Sequence, residues 1–468
     1  MGFFEKMNHW ASRSISLKLI TIGIIVLVLM IPSSMLNSLV YERQSLRDGA
    51  ITEVSGKWGS EQQLIGPILT IPYKSYIINE KKERIETLAY AHFFPDSLAM
   101  NGVLKPDKRY RGIYVVVLYN LALQLKANFR PINLRSLGLS TENILLDQAF
   151  VSVGISDLKG IKKSIVLKIA NQNSTSFGPG IPTNDLLKSG ISTQLPVKLN
   201  ESLNLSFDLD LNGSKLISFV PIGKETIVQL KSSWDNPSFD GSFLPENRTV
   251  SDSGFTADWH VLELNRNFPQ QGLGKFVTFN GLQTISTDIY SDAALYPGTT
   301  LPDIDQSDSA FGVKLLLPID EYQKTLRSSK YSTMFILLTF LVVFFAEIFR
   351  KKKVHPIQYL LTGSAICLFY VLLLSLSEHL LFDQSYLISC VVILVVIGFY
   401  VQSIFKNLLV TAFILGILAI LYGFFYSLLQ LQDYALLMGS IGLLVVLVIV
   451  MYSTRNIDWY HSTEEEQA

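Results

Sequence analysis

Cysteine is almost absent from this chain of 468 residues, which has only Cys367 and Cys390. Both lie in apolar runs toward the C-terminal end, so no disulfide framework is available. Charge is also sparse, at 17% of residues against 49% apolar, and mean hydropathy is +0.32. That balance is too apolar for an ordinary soluble protein and points to a membrane protein. Neither sign dominates, with 39 basic and 39 acidic residues, so there is no global basic field to attract nucleic acid. The sequence contains no G-x-x-x-x-G-K-[ST] phosphate loop, no G-x-G-x-x-G, no H-E-x-x-H and no G-x-S-x-G elbow. Carboxylates in the long polar stretch are scattered, and choosing a pair of them as acid and base would be arbitrary. No catalytic residue, cofactor or metal site is expected, and no enzyme activity.

What the chain does have is long apolar runs. No charged side chain occurs between Lys18 and Glu42, and a spanning helix needs ~20 residues to cross the hydrocarbon. An uncleaved anchor is favoured over a signal peptide, because the run is long and 31–40 shows no small-x-small cleavage pattern. The expected spans are 17–40, 331–349, 357–377, 386–405, 408–430 and 434–452. Lys6, Arg13 and Lys18 precede the first span, Arg350 to Lys353 follow the second, Lys406 follows the fourth and Arg455 the sixth. The positive-inside rule then places 1–16 and the tail 453–468 in the cytoplasm and 41–330 outside it.

The outer segment carries strand signals. In "SLNLSFDLDLNGS", Leu203, Leu205, Phe207, Leu209 and Leu211 alternate with polar residues, the period of a half-buried strand. Asn101-Gly102, Asn212-Gly213 and Asn280-Gly281 read as two-residue hairpin turns. A predominantly β domain built largely of hairpins is expected. A helical stalk with Leu46, Ile51, Val54 and Trp58 on one face precedes it, stopped by Gly66-Pro67. Residues 177–182, "FGPGIP", are the best place for a break if the segment is two subdomains instead of one. The two outer histidines, His92 and His260, lack the spacing of a metal site and read as packed or surface residues.

Ionisable groups inside spans are costly and default to functional hypotheses. Glu347 sits three and four residues before Arg350 and Lys351, so a local helical ion pair at the lipid boundary can also account for it. His355 precedes Pro356 and marks a helix N-terminus. His379 lies 24 residues on, ~36 Å away along a continuous helix, so the two histidines cannot share one metal or proton. Two separate clusters follow. At the inner face Glu347, His355, Gln358, Arg455, Asn456 and Asp458 lie near span ends. At the outer face Glu378 and His379 lie near Asp383, Asp433 and the base of the β domain. The rival reading of both is interfacial anchoring, with Tyr359, Trp459 and Tyr460 as belt aromatics.

The segments "LIGPILTIPY" (64–73), "FLPENRTVSDSGFTADW" (243–259), "HPIQYLLTG" (355–363), "FYVLLLSLSEH" (369–379) and "TRNIDWY" (454–460) resemble the CreD family of bacterial inner membrane proteins. The resemblance runs from the first span to the last; the polar tail after Tyr460 is short here. It implies a multi-pass inner membrane protein with a large periplasmic domain, associated with cell envelope integrity and a two-component regulatory system. It implies no established enzyme activity and no agreed catalytic residues. The expected fold is thus six transmembrane helices with a large, predominantly β periplasmic domain between helices 1 and 2. The expected function is non-catalytic: the outer domain binds or senses an envelope lipid, glycan or protein, and the helices anchor it in the bilayer. The alternative is a transporter or channel accessory, with Glu347, His355, Gln358, Glu378 and His379 lining a polar path. A hydrolase of envelope polymers is a third reading.

Overall fold

The computed structural model describes residues 15–78, 84–170, 174–279, 306–307, 309–317, 321–350, 352, 354–431 and 434–455. The chain divides into two compact units, 48–318 on the one hand and 1–47 with 319–468 on the other.

The first unit is a two-sheet β sandwich. In neighbour order, one sheet contains Pro237–Gly241, Phe311–Leu315, Leu216–Phe219, Gln62–Ile78, Phe150–Ile155, Gly190–Gln194 and Gly178–Pro179. Arg84–Phe93 pairs with the far half of Gln62–Ile78, and Gln271–Leu273 pairs with Arg84–Phe93. The other sheet contains Asn247–Ser251, Gly254–Leu262, Glu225–Ser232, Ser97–Arg111, Tyr114–Phe129, Leu203–Ser214, Val166–Ile169 and Thr175–Ser176. The alternation read from 203–211 puts Leu205, Phe207, Leu209 and Leu211 inside. They join Ile68, Val151 and Phe219 of the facing sheet in one continuous core, the arrangement that lets each sheet bury its apolar face. Trp259 is 1% exposed in that core. Its ring lies 5.6 Å from Phe311, and its Nε1–H donates to the Phe243 carbonyl at 3.2 Å, so burial leaves no polar atom unpaired.

The hairpin signals are corrected by this fold. Asn101-Gly102 lies inside the strand Ser97–Arg111, where a Cβ on Gly102 would crowd Leu230 and Leu123. Asn212-Gly213 also lies inside a strand, and Gly213 is required because the Tyr119 ring fills the space beside it. The chain leaves that strand at Lys215, at φ 57°, and enters the opposite sheet. Asn280-Gly281 lies outside the described residues. Two-residue turns are found instead at Gly112-Ile113, where Arg111 pairs with Tyr114 and Gly112 has φ 60°, and at Asp252-Ser253, where Ser251 pairs with Gly254. Both sheets also contain a parallel pair: Gln62–Leu64 with Ile217–Phe219, and Ser97–Leu104 with Glu225–Ser232. These crossovers stand beside hairpins of consecutive strands: Gln62–Ile78 with Arg84–Phe93, Ser97–Arg111 with Tyr114–Phe129, and Asn247–Ser251 with Gly254–Leu262. Phe177, at the suggested break, packs on Phe207 at 5.3 Å.

The second unit is helical. Six helices are long and apolar enough to cross a membrane among the described residues: α1 (Ile15–Trp58), and, after the short α2 (Glu321–Lys330), α3 (Ser332–Arg350), α4 (Pro356–Ser377), α5 (Phe382–Phe405), α6 (Leu408–Gln430) and α7 (Ala435–Thr454). The expected membrane-proximal helix with Leu46, Ile51, Val54 and Trp58 is present as an unbroken continuation of the first span, and it ends at Trp58; Gly66-Pro67 is not its stop but falls in the strand Gln62–Ile78. α2 and its polar face went unread in the sequence.

Local chemistry sets the helix ends. His355 caps α4, accepting at Nδ1 from the Ile357 N–H at 3.3 Å, while Gln358 Oε1 accepts the His355 N–H at 2.9 Å, a reciprocal cap with Pro356 at the first helical position. α5 ends at Lys406 in the left-handed region, and Asn407 accepts from Leu409 N–H at 3.0 Å to open α6. The helices pack on aromatic rings. Phe335 of α3, Phe369 of α4 and Tyr422 of α6 meet with centroid distances of 4.3 and 5.1 Å, and Tyr386 of α5 lies 5.5 Å from Phe369. Gly363 lets Leu29 of α1 and Phe340 of α3 close on α4, the small-residue approach that membrane helices use where no hydrophobic effect drives them together. Leu436, Leu444 and Val448 of α7, like Ile24, Leu27 and Ile31 of α1, are exposed as lipid-facing residues should be.

Candidate functional site

The polar residues of the bundle form two layers. In the first, Glu347 of α3 is 7% exposed, and its carboxylate takes a donor from each of three places. Lys18 of α1 donates to Oε1, the Val354 N–H donates to Oε1 at 2.9 Å, and the Tyr359 hydroxyl of α4 donates to Oε2 at 2.8 Å. Lys18 also donates to the Val354 carbonyl at 3.0 Å and stands 5.9 Å from the Tyr359 ring centroid. A buried carboxylate is tolerated only when paired and hydrogen-bonded, and this one is. Its counter-ion is therefore Lys18, not the local Arg350; the Lys351 side chain lies outside the described residues. His355 and Gln358 of the expected inner cluster are engaged with each other in the α4 cap. Arg455 lies over the Tyr452 ring at 4.7 Å. Asn456 and Asp458 lie outside the described residues.

In the second layer, Glu378 faces Arg43 of α1 at 3.6 Å. Asp383, in the first turn of α5 where a negative charge is favoured, accepts from Gln430 of α6 at 2.6 Å. Gln430 also accepts from Lys324 at 3.3 Å, and Arg327 donates to the Leu431 carbonyl at 3.1 Å. Ser329 of α2 donates to Asn37 of α1 at 2.6 Å. The His379 side chain is exposed and bonds to no polar group among the described residues, and Asp433 lies outside them. Residues missed in the sequence are Lys18, Arg43, Asn37, Lys324 and Gln430; Lys18 at one edge of the charge-free run, and Arg43 one residue past Glu42 at the other, were the visible signal. Between the layers α1, α3, α4, α5 and α6 carry no Asp, Glu, Lys, Arg or His. The two layers tie helices together and supply no ionisable path between them.

In the β unit, His92 is 1% exposed. Its Nδ1 lies 2.9 Å from the Thr70 hydroxyl and its Nε2 3.1 Å from Asp185. Burial lowers its pKa, and Asp185 opposes that shift. Hydroxyl, imidazole and carboxylate stand in the order of a nucleophile relay; Thr70 is also 1% exposed, and the row pins the chain around Asp185 to the sheet. His260, in the other sheet, is on the surface between Glu225 at 2.9 Å and Glu246 at 3.9 Å. Among the described residues no three His, Cys, Asp or Glu side chains gather as a metal-binding group.

Six apolar helices with a β sandwich inserted after the first define a multi-pass membrane protein. The family model described as Inner membrane protein CreD matches residues 14–460, and the chain belongs to that family. It is 31% identical over 442 residues to Inner membrane protein CreD of Escherichia coli (strain K12), covering 93% of this chain and 91% of that protein. The protein is a multi-pass protein of the inner membrane.

Proposed function

We propose that this is a non-catalytic envelope-integrity protein whose β domain lies in the periplasm and binds an envelope component, while the helical bundle anchors it and receives its state. The observation that carries the reading is the double engagement of α1. Along 15–47 it is held in the bundle by Lys18, Asn37 and Arg43. Along 48–58 it is held in the β domain, where Trp58 donates to the Tyr119 carbonyl at 3.3 Å, Glu53 meets Arg111 at 3.2 Å and the Gly56 carbonyl accepts from Lys159 at 3.3 Å. One helix thus carries the contacts of both units, and a ligand that favours one state of the β domain has a route to bias the Lys18–Glu347 layer. The basic residues near the ends of the spans support cytoplasmic termini and a periplasmic β domain.

In living cells, photo-crosslinking amino acids on the sandwich surface should capture an envelope lipid, glycan or protein. A cysteine at Lys231 should react with a membrane-impermeant maleimide added outside the inner membrane, and one at Lys352 should not. Capture of nothing from any face of the sandwich, or the reverse labelling pattern, overturns the reading.

A further inference from the structure

The bundle contains a groove of about 670 Å3 between α1 and α4. On α1 it is lined by Pro32, Met35, Leu39 and Glu42, and on α4 by Ser364 and Leu368. Contacts between the two helices set its two ends. At one end α1 and α4 are in contact at Gly363, where Leu29 closes in, and at Ser33 and Cys367, whose Oγ and Sγ are 4.0 Å apart. At the other end Arg43 meets Glu378. Pro32 has no N–H to give to the preceding turn, so α1 loses a helical hydrogen bond where the groove opens.

From Pro32 to Glu42 the helix rises ~15 Å, about half of the ~30 Å hydrocarbon thickness. The groove therefore spans one leaflet, from mid-bilayer to the interface at which the charge-free run of α1 ends. The walls are apolar except for the hydroxyls of Ser38 and Ser364 and the carboxylate at the mouth. Hydrocarbon is the only abundant occupant at that depth that matches them. Glu42 is exposed, and no side chain among the described residues bonds to it. Arg43 already faces Glu378, and Arg47 lies about 140° round the helix from Glu42. Two carboxylates and one guanidinium at the mouth leave an excess of negative charge, complementary to an ammonium headgroup and repulsive to an anionic one.

We propose that this groove holds an acyl chain of an amine-headed phospholipid of the phosphatidylethanolamine class, with the ammonium at Glu42. The site is separate from the ligand proposed for the β domain, and its test reads only the helices.

The full-length protein is reconstituted into vesicles of phosphatidylethanolamine and phosphatidylglycerol, with a trace of either lipid carrying a photoreactive acyl chain, and the adducts are mapped by peptide mass spectrometry. The ethanolamine probe should label 32–42 and 364–371 severalfold more than the glycerol probe. Leu368→Trp, which fills the groove, should abolish that excess. Glu42→Gln should bring the two probes to parity while labelling persists. Equal labelling by both probes in the unaltered protein means ordinary boundary lipid and overturns the proposal. So does a copy-to-copy crosslink through 364–371, which would put a second chain in the groove. If Leu368→Trp fails to assemble, the ratio of the two probes on the unaltered protein still decides.

Discussion

Lys18 of α1 and Glu347 of α3 are joined across 329 residues of chain. With Glu347 7% exposed and also bonded to Tyr359 and Val354, loss of the carboxylate strands a lysine and two donors. Glu347→Ala should destabilise the bundle by about 3 kcal/mol, read as a lowered midpoint of thermal unfolding in detergent micelles. Glu347→Gln retains an acceptor for Tyr359 and should cost less. Removing both charges, with Lys18→Met and Glu347→Met, should be milder than Glu347→Ala alone, because no lone charge remains.

Gly363 supplies a second check on the same bundle. A side chain there meets Leu29 and Phe340, so Gly363→Val should cost ~1–3 kcal/mol through overpacking. Leu29→Ala added to it should recover part of that loss in the same unfolding measurement. No recovery would mean that the crossing of α1 and α4 is not where the strain falls.

The His92 environment sets a pH dependence. Burial holds its pKa below the ordinary 6.5, with Asp185 opposing. As pH falls, the unfolded chain therefore takes up its proton before the folded one does. The stability contributed by neutral His92 is complete above 6.5 and is lost as pH falls from there through the folded value. Unfolding of the β domain, followed by tryptophan fluorescence, should show this acid slope, and His92→Gln should reduce it. A slope that is identical in the variant would assign it to other groups.

Gly213 separates packing from turn chemistry. Tyr119 is fully buried, and its hydroxyl donates to the Leu216 carbonyl at 2.7 Å. Gly213→Ala pushes a methyl into that ring and should cost ~1–3 kcal/mol. Asn212→Thr should be far milder, because Asn212 is not in a turn; equal sensitivity of the two would restore the hairpin reading.

The spans were legible because a bilayer imposes a length and penalises charge, and both are local properties of the sequence. The alternation of 203–211 was legible for the same reason. The glycines were misread because their need is non-local: Gly102 makes room for Leu230 and Leu123, and Gly213 for Tyr119, and neither partner is adjacent in sequence. The partner of Glu347 was hidden too, since Arg350 and Lys351 offered a closer match by spacing than Lys18 did. His92 lay in plain view, but Asp185 stands 93 residues away, so nothing in the spacing joined them.

The strand Gln62–Ile78 leads the β domain in sequence yet lies in the interior of its sheet, with a neighbour at Leu216–Phe219 that is in turn closed by Phe311–Leu315. Residue 62 thus waits for partners synthesised some hundred and fifty residues later; the Ser218 hydroxyl that reaches the Gln62 carbonyl is 156 positions on. The closing strand arrives just before the second span. During biosynthesis the edge at 62–64 remains uncovered until 216–219 have emerged, and the edge of Leu216–Phe219 until 311–315 have, so completion of this sheet is a late, slow event in which a vacant edge must be kept from wrong partners.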